Sequence, residues 1–269
     1  MSFSAHTFIY NGVPSEFHRV FLGDIGNSTA GGGEATSDAS NNSTVLSEKI
    51  FRRPTLFNYG VEMVAPLQFP LSMYVEGEGL DEREYSQVAS WLFGNQNYKK
   101  LRICQNDLQE VFWNAVFIDG KKITAGNYVR GITATVSCDS PWGFLNPKTT
   151  LYSWDNVPSI SDTINYINTS DNNYYTFPKL VITANSFAGD VTITNVTDNN
   201  RQFILSMEAN EVVEMDCSLQ TIISTVSIYP IQNFNLKFLR FLPGLNQLTI
   251  SGNILSLSVT SEIAVKVGG

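Results

Sequence analysis

Short runs that alternate apolar with small or β-branched polar residues fill the second half of this chain. PKLVITA, GDVTITNV, RQFILSM, EVVEMDC, TIISTVSIY, LKFLRFL, NQLTIS, ILSLSV and EIAVKV follow one another between residues 178 and 267, separated by turns rich in Asn, Asp and Gly. A period of two is the signature of a strand with one face buried. In GDVTITNV, Val191 and Ile193 point one way and Thr192 and Thr194 the other. Strands this short, repeated this regularly, predict a β-sandwich. RFLPGLNQLTISG, which sets a Pro-Gly turn between two apolar runs, predicts one of its last hairpins.

The first half is also strand-like, with one exception. HTFIYNGVPSEF reads as an opening strand and an Asn11-Gly12 hairpin turn. GLDEREYSQVASWLFG carries the signals of a helix over about 81–93: Asp81 as N-cap, Glu84 completing a capping box, and Gly94 as its stop. Tyr85, Val88, Ala89 and Leu92 line one face, and Trp91 lies near it as a core residue. Strands resume at KKLRICQ, VFWNAVFIDGKKI and NYVRGITATVSCDSPWGF, with Asp119-Gly120 as a tight-turn signal and Pro141 as a stop. In the last of these, Ile132, Ala134 and Val136 form the apolar side.

Two stretches lack a strand pattern. Residues 23–49 hold many Gly, Ser, Thr and Asn, with no large apolar residue between Ile25 and Val45. Such a stretch cannot offset its own chain entropy. It is expected to be a flexible arm, either plainly disordered or ordered on a neighbouring subunit. Residues 146–164 read as a linker. The expected organisation is a β domain over 1–145, the linker over 146–164, and a β-sandwich over 165–269.

Composition and motifs narrow the function by exclusion. Charged residues make up 16% of the chain, below the usual quarter, which suits surfaces that partners cover. The net charge of −8 and the lack of a basic run disfavour a grip on nucleic acid. Lys99-Lys100, Lys121-Lys122 and Arg52-Arg53 are short surface pairs. Cys104, Cys138 and Cys217 are odd in number and far apart, so neither a disulfide framework nor a metal knuckle is expected, and buried inert thiols are. His6 and His18 have no partner at ligand spacing. Asp81, Glu82 and Glu84 cluster at a helix start, where the dipole accounts for them. There is no nucleophile elbow and no phosphate loop. No catalytic, cofactor-binding or metal-ligating residue is assigned, and no enzyme activity is expected. No signal-peptide pattern or long apolar run is present, so no membrane insertion is expected, and synthesis in a reducing cytoplasm is.

In order along the chain, several stretches resemble the distal tail proteins of long-tailed, siphovirus-type bacteriophages. They are FIYNGVPSEF, the helix EYSQVASWLFG followed by YKKLRICQ, GNYVRGITATVSCDSPWGF, FPKLVITANSFAGDVTITN, VVEMDC and FLRFLPGLNQLTISG. RRPTLFNYGVEMVAP departs from the family pattern in lacking a Pro-Gly-Arg-Asp-Gly type segment. The resemblance implies a mainly β fold: an N-terminal tail-tube-like split β-barrel domain with one helix, then a C-terminal galectin-like β-sandwich. It also implies a structural virion protein, made in the bacterial host cytoplasm and placed at the tail tip. There it would form a homo-hexamer ring on the last ring of the tail tube. The implied partners are the tail tube protein, the tail hub or tip protein, the receptor-binding protein and the tape measure protein, with DNA only passing through the channel. No cofactor is implied.

Two rival readings stay open at this point. A carbohydrate-binding module would use Trp154, Tyr174 and Tyr175 to stack on sugars, where hinge packing is the bland account of the same residues. Another tail component, a tube subunit or a hub, would share the strand-rich pattern.

Overall fold

A computed structural model describes residues 5–23, 43–48, 57–63 and 65–267. The chain divides into two compact units, Met1–Phe144 with Lys266–Gly269, and Leu145–Val265. The residues at 266 and 267 thus belong to the first unit, and the second unit is set between two passages of the chain.

In chain order the first unit holds β1 (Phe8–Tyr10), β2 (Val13–Pro14), a 3-10 turn (Ser15–His18), β3 (Val20–Leu22), β4 (Ser43–Glu48), β5 (Phe57–Met63), β6 (Gln68–Val75), α1 (Glu82–Phe93), β7 (Lys99–Ile103), β8 (Val111–Ala125), β9 (Tyr128–Cys138) and the start of β10 (Gly143–Leu145). The main sheet runs β2-β1-β7-β8-β9-β6-β3, and β4 pairs with β5 apart from it. The chain is mainly β with a single α-helix among the described residues, and no sheet closes into a barrel.

The local signals explain much of this. Asn11 and Gly12 both take positive φ (52° and 77°), as a two-residue hairpin turn of the primed type requires. The backbone N–H of Glu84 donates to Asp81 Oδ1 (2.7 Å), and that of Asp81 donates to Glu84 Oε2 (3.0 Å), so the capping box forms as expected. The apolar side of β9 is buried at Ile132, Ala134 and Val136.

Asp119-Gly120 is not a turn. It lies inside β8 at a register shift between Ile118 and Lys121, with Asp119 at φ 54°. It is therefore a β-bulge, a place where a short polar residue tolerates the left-handed region. The hairpin turns instead at Gly126 (φ 64°), between the paired Ala125 and Tyr128. The arm expected over 23–49 lies outside the described residues apart from Gly23 and Ser43–Glu48. The latter is the strand β4, where Thr44, Val45 and Leu46 favour extended backbone.

The second unit packs two antiparallel sheets face to face. One has the order β11 (Lys148–Ser153), β19 (Ile254–Ser261), β13 (Lys179–Ala184), β16 (Val212–Asp216), β17 (Thr221–Ser224). The other has the order β12 (Ile160–Asn168), β18 (Gly244–Gly252), β14 (Gly189–Asn195), β15 (Arg201–Met207). Ile182, Val191, Ile193, Phe203, Leu248, Ile250 and Leu257 are buried between them, and Tyr166 stacks on Phe241 at 4.2 Å.

Three expectations fail here. The stretch 146–164 is not a linker: β11 pairs along its whole length with β19, β12 pairs with β18, and Trp154 packs against the core. Its Asn, Pro and Ser content reflects solvent-facing edge strands and the turn between them. LKFLRFL is not a strand; it is held at one bridge between Thr176 and Phe241. The hairpin expected of RFLPGLNQLTISG does not form, because the run before its Pro-Gly turn is not a strand; β18 after the turn pairs with β12 and β14, and the next strand, β19, belongs to the other sheet. The chain crosses between the sheets at Gly252 (φ 104°), where a Cβ would sit 1.9 Å from the carbonyl oxygen of Asp190. Only glycine fits a backbone approach that close.

Candidate interaction surfaces

In the first unit the charged and aromatic candidates hold the structure together. Trp91 stacks on Phe8 (5.7 Å), meets Tyr10 edge-on (6.1 Å), and donates its Nε1–H to the Tyr10 carbonyl (3.2 Å). His18 also lies against Trp91, with ring centroids 4.5 Å apart, and burial lowers its pKa. The helix-start carboxylates are engaged: Glu84 takes Arg19 at 2.7 Å and Glu82 takes Lys122 at 2.6 Å. Lys122 also lies over the Tyr85 ring at 5.2 Å. These exposed pairs position the 3-10 turn and the β8–β9 hairpin on α1, at a modest gain each.

His6 and Cys104 share an open depression of about 410 Å³ with Ala5, Thr7 and 105–107. Cys104 is exposed, which differs from the buried thiol expected of it, because it lies just beyond the end of β7. Cys138 and Cys217 are buried, and burial pushes both thiols up to about 12. No group of three or more His, Cys, Asp or Glu that could hold a metal ion occurs among the described residues. No helix among them is long and apolar enough to cross a membrane.

In the second unit the three aromatics proposed for sugar stacking have separate settings. Trp154 leans on the sandwich core and donates to Asp162 Oδ2 (2.8 Å). Tyr175 is covered by the guanidinium of Arg240, 3.8 Å above its ring. Tyr174 is half exposed on the same loop.

Arg240 in turn forks onto the buried Asp198, with Nε to Oδ2 at 2.7 Å and Nη2 to Oδ1 at 3.1 Å. Two fully buried asparagines complete the network. Asn246 accepts from the Leu242 N–H (2.9 Å) and donates to the carbonyls of Leu242 (2.8 Å) and Gly244 (3.1 Å). Asn195 donates to the Arg240 carbonyl (3.0 Å) and to Asn246 Oδ1 (3.1 Å). This is how the Pro-Gly turn keeps its shape between a non-strand segment and β18. Sequence reading missed the network, whose members are spread over fifty residues and unite only in the fold.

Apolar side chains are left on the outside at one place in particular. After β17 the chain crosses to the edge of β15, where Leu205 bridges Phe234. Phe234 and Phe238 turn inward, whereas Val226, Ile228, Tyr229 and Leu236 are exposed, as are Leu219 just before β17 and Ile223 within it. TIISTVSIY was expected to be one long strand. Only its first four residues are, so the alternation stops at Ser224, before Val226, Ile228 and Tyr229.

A family described as the phage tail protein N-terminal domain matches residues 3–140, and one described as the phage tail C-terminal domain matches residues 142–260. No curated protein matches. Among solved structures, the Dit protein of phage SPP1 aligns over 96% of this chain and 98% of its own, at a TM-score of 0.66 and 11% identity. It is described as a paradigm of the hub adsorption apparatus of phages that infect Gram-positive hosts. A chain of the phage p2 baseplate in its activated conformation aligns over 96% and 97%, at a TM-score of 0.52 and 9% identity. At these identities the likeness is one of fold.

Proposed function

This chain belongs to the phage tail protein family, both of whose domains it carries, and from that premise we propose that it is a distal tail protein that assembles as a hexameric ring at the tail tip. It is a structural component of the tail with a hub-like fold. In the proposed role the first unit builds the ring that joins the tail tube to the tip. The second unit offers docking surface to further baseplate parts. The tail tube protein, the hub or tip protein, the receptor-binding protein and the tape measure protein are the proposed neighbours, with DNA passing through the channel. Assembly into the virion follows synthesis in the host cytoplasm. No catalytic role is proposed.

The observation that carries this reading is the match of both domains in order, joined to a fold shared with the SPP1 Dit protein over nearly the full length of both chains. Physical arguments support it. Closed rings are built from heterologous contacts around an axis. A chain with few charges and a solvent-exposed stretch of the β8–β9 hairpin has surface to give to such contacts. A channel lined by an acidic protein would not hold DNA back.

The test is the mass of the purified full chain over a wide concentration range, followed by electron microscopy. Rings of six are expected. A chain that stays monomeric throughout overturns the reading, long tubes assign it to the tube, and trimers assign it to a hub. The carbohydrate-binding alternative gains no support from Trp154, which packs on the core, or from Tyr175, which lies under Arg240.

A further inference from the structure

The second unit is acidic overall, and its few cations are unevenly placed. Over Leu145–Val265 it carries ten Asp and Glu against five Lys and Arg. Three of those five cations, Arg201, Lys237 and Arg240, line one open notch of about 290 Å³ beside the turn between β14 and β15. Asp198 is the one acidic residue that lines it among the described residues.

Asp198 does not neutralise the notch. Both of its oxygens are held by the Arg240 fork, at 2.7 and 3.1 Å, so one cation is balanced and two are left over. The Lys237 ammonium meets no acceptor among the described residues. Arg201 spends its Nε–H on the Phe238 carbonyl (3.1 Å), which ties the start of β15 to the segment that carries Lys237. Charges more than about 8 Å away are screened at physiological ionic strength, so the lining of the notch sets the potential inside it.

The frame that carries these groups is fixed. The Arg201 N–H closes a turn on the Asp198 carbonyl (2.9 Å), with Asn199 and Asn200 both left-handed at φ 51° and 56°. Leu236 is left-handed as well (φ 61°), and the Lys237 N–H donates to Asn235 Oδ1 (3.2 Å). Arg240 is clamped between Asp198 and the Tyr175 ring. Cations held in place before a ligand arrives lose little freedom on binding it.

We propose that this notch binds the carboxylates of an acidic segment of a partner protein. The inference deepens the docking role proposed above for the second unit and names its chemistry. Charge complementarity selects the occupant: a local positive excess in an acidic body attracts a short run of Asp or Glu. An extended polyanion such as nucleic acid would meet the surrounding acids instead. The size is near the lower end of small-ligand sites, which span roughly 300–1,000 Å³, and so admits a few side chains rather than an oligosaccharide. The nearest ring, Tyr175, already has its face covered by Arg240 and gives a sugar no platform.

The experiment titrates the full-length chain, K237E and K148E with a fluorescent, N-acetylated oligoglutamate peptide, read by anisotropy. Lys148 is exposed on β11, in the other sheet, so the two variants change the net charge equally. K237E is expected to weaken binding at least about tenfold, and K148E to leave it unchanged. No binding to the wild type, or equal loss in both variants, overturns the inference. Inorganic phosphate that displaces the peptide at equal concentration assigns the notch to a free oxyanion and also overturns it. Should K237E not fold, carbodiimide coupling of the peptide to the wild type decides by mass spectrometry: an amide at Lys237 and none at Lys148 is expected, and equal coupling overturns the inference. The ring is judged separately, by mass. A monomeric chain that binds the peptide at Lys237 keeps this inference and loses the ring, whereas a ring that ignores the peptide keeps the ring and loses this inference.

Discussion

The ring of Phe93, the last residue of α1, lies so close over Gly120 that a Cβ on the glycine would sit 2.3 Å from its Cζ. The contact fixes the end of the only α-helix among the described residues against the bulge in β8. G120A is expected to destabilise the first unit by about 1–3 kcal/mol, the range for overpacking. In an F93A background the same change should cost much less, since the two residues share one contact. Urea unfolding of the two single variants and the double variant checks this; additive losses would refute the contact as the cause.

Asn246 is expected to be a stability hot spot in spite of its polar side chain. N246A takes the side-chain acceptor from the Leu242 N–H and from Asn195 Nδ2, and a donor from the carbonyls of Gly244 and of Leu242, the latter keeping Asn168 Nδ2 at 3.2 Å, in a site closed to water. The expected loss is ~2–4 kcal/mol. Thermal unfolding measures it, and a loss below about 0.5 kcal/mol, typical of a surface change, would refute the network's role.

Asp216 gives the second unit an acid-sensitive element. Burial alone would raise its pKa. The Ser218 hydroxyl (2.6 Å), the Ser218 and Leu219 N–H groups (3.0 and 3.1 Å) and Lys179 (3.1 Å) outweigh that and hold the carboxyl at about 2. A carboxylate with a depressed folded-state pKa contributes fully above its unfolded value of about 3.9 and loses that contribution as pH falls through the folded value. The stability gap between wild type and D216N is therefore expected to be constant near neutral pH and to shrink from about pH 4 downward. A gap unchanged down to pH 2 would refute the assignment.

Thiol chemistry should discriminate sharply among the cysteines. Cys104 is exposed, whereas Cys138 and Cys217 are buried with thiols held at about 12. Only the thiolate reacts. One thiol per chain is expected to react with a maleimide at pH 7 in the folded protein, and three after unfolding, counted by mass spectrometry. C104S should abolish the first without altering the melting temperature.

What the sequence made legible was whatever is decided within a few residues. The capping box of Asp81 and Glu84, the Asn11-Gly12 turn and the alternation of β9 and β14 are local, and each appears in the structure as expected. Asp119-Gly120 has the composition of a turn, but the strands around it continue, and whether they do depends on Phe93, nearly thirty residues upstream. β11 and the first half of β12 look like a linker because edge strands with few buried residues carry a weak pattern. RFLPGLNQLTISG looks like a hairpin, but only the run after its turn is a strand; the partners of β18 and β19 lie as far away as Lys148 from Ser261, and the crossing between them depends on how closely Gly252 meets Asp190. The exposure of Val226, Ile228 and Tyr229 after β17 is hidden by the same limitation. An apolar run reads as a strand whether its side chains end up inside the sandwich or out.

The Leu145 N–H donates to the carbonyl of Ile263 (2.9 Å), so the second unit begins and finishes side by side, while residues 266 and 267 rejoin the first. The second unit is thus joined to the first by two passages of the chain. A single protease nick between residues 145 and 148 should leave it attached, seen as two fragments on a denaturing gel that migrate together under native conditions. Adjacent termini are also what lets a whole body be lifted out and another spliced in, so the second unit of this tail component is expected to be exchangeable for another while the first folds as before.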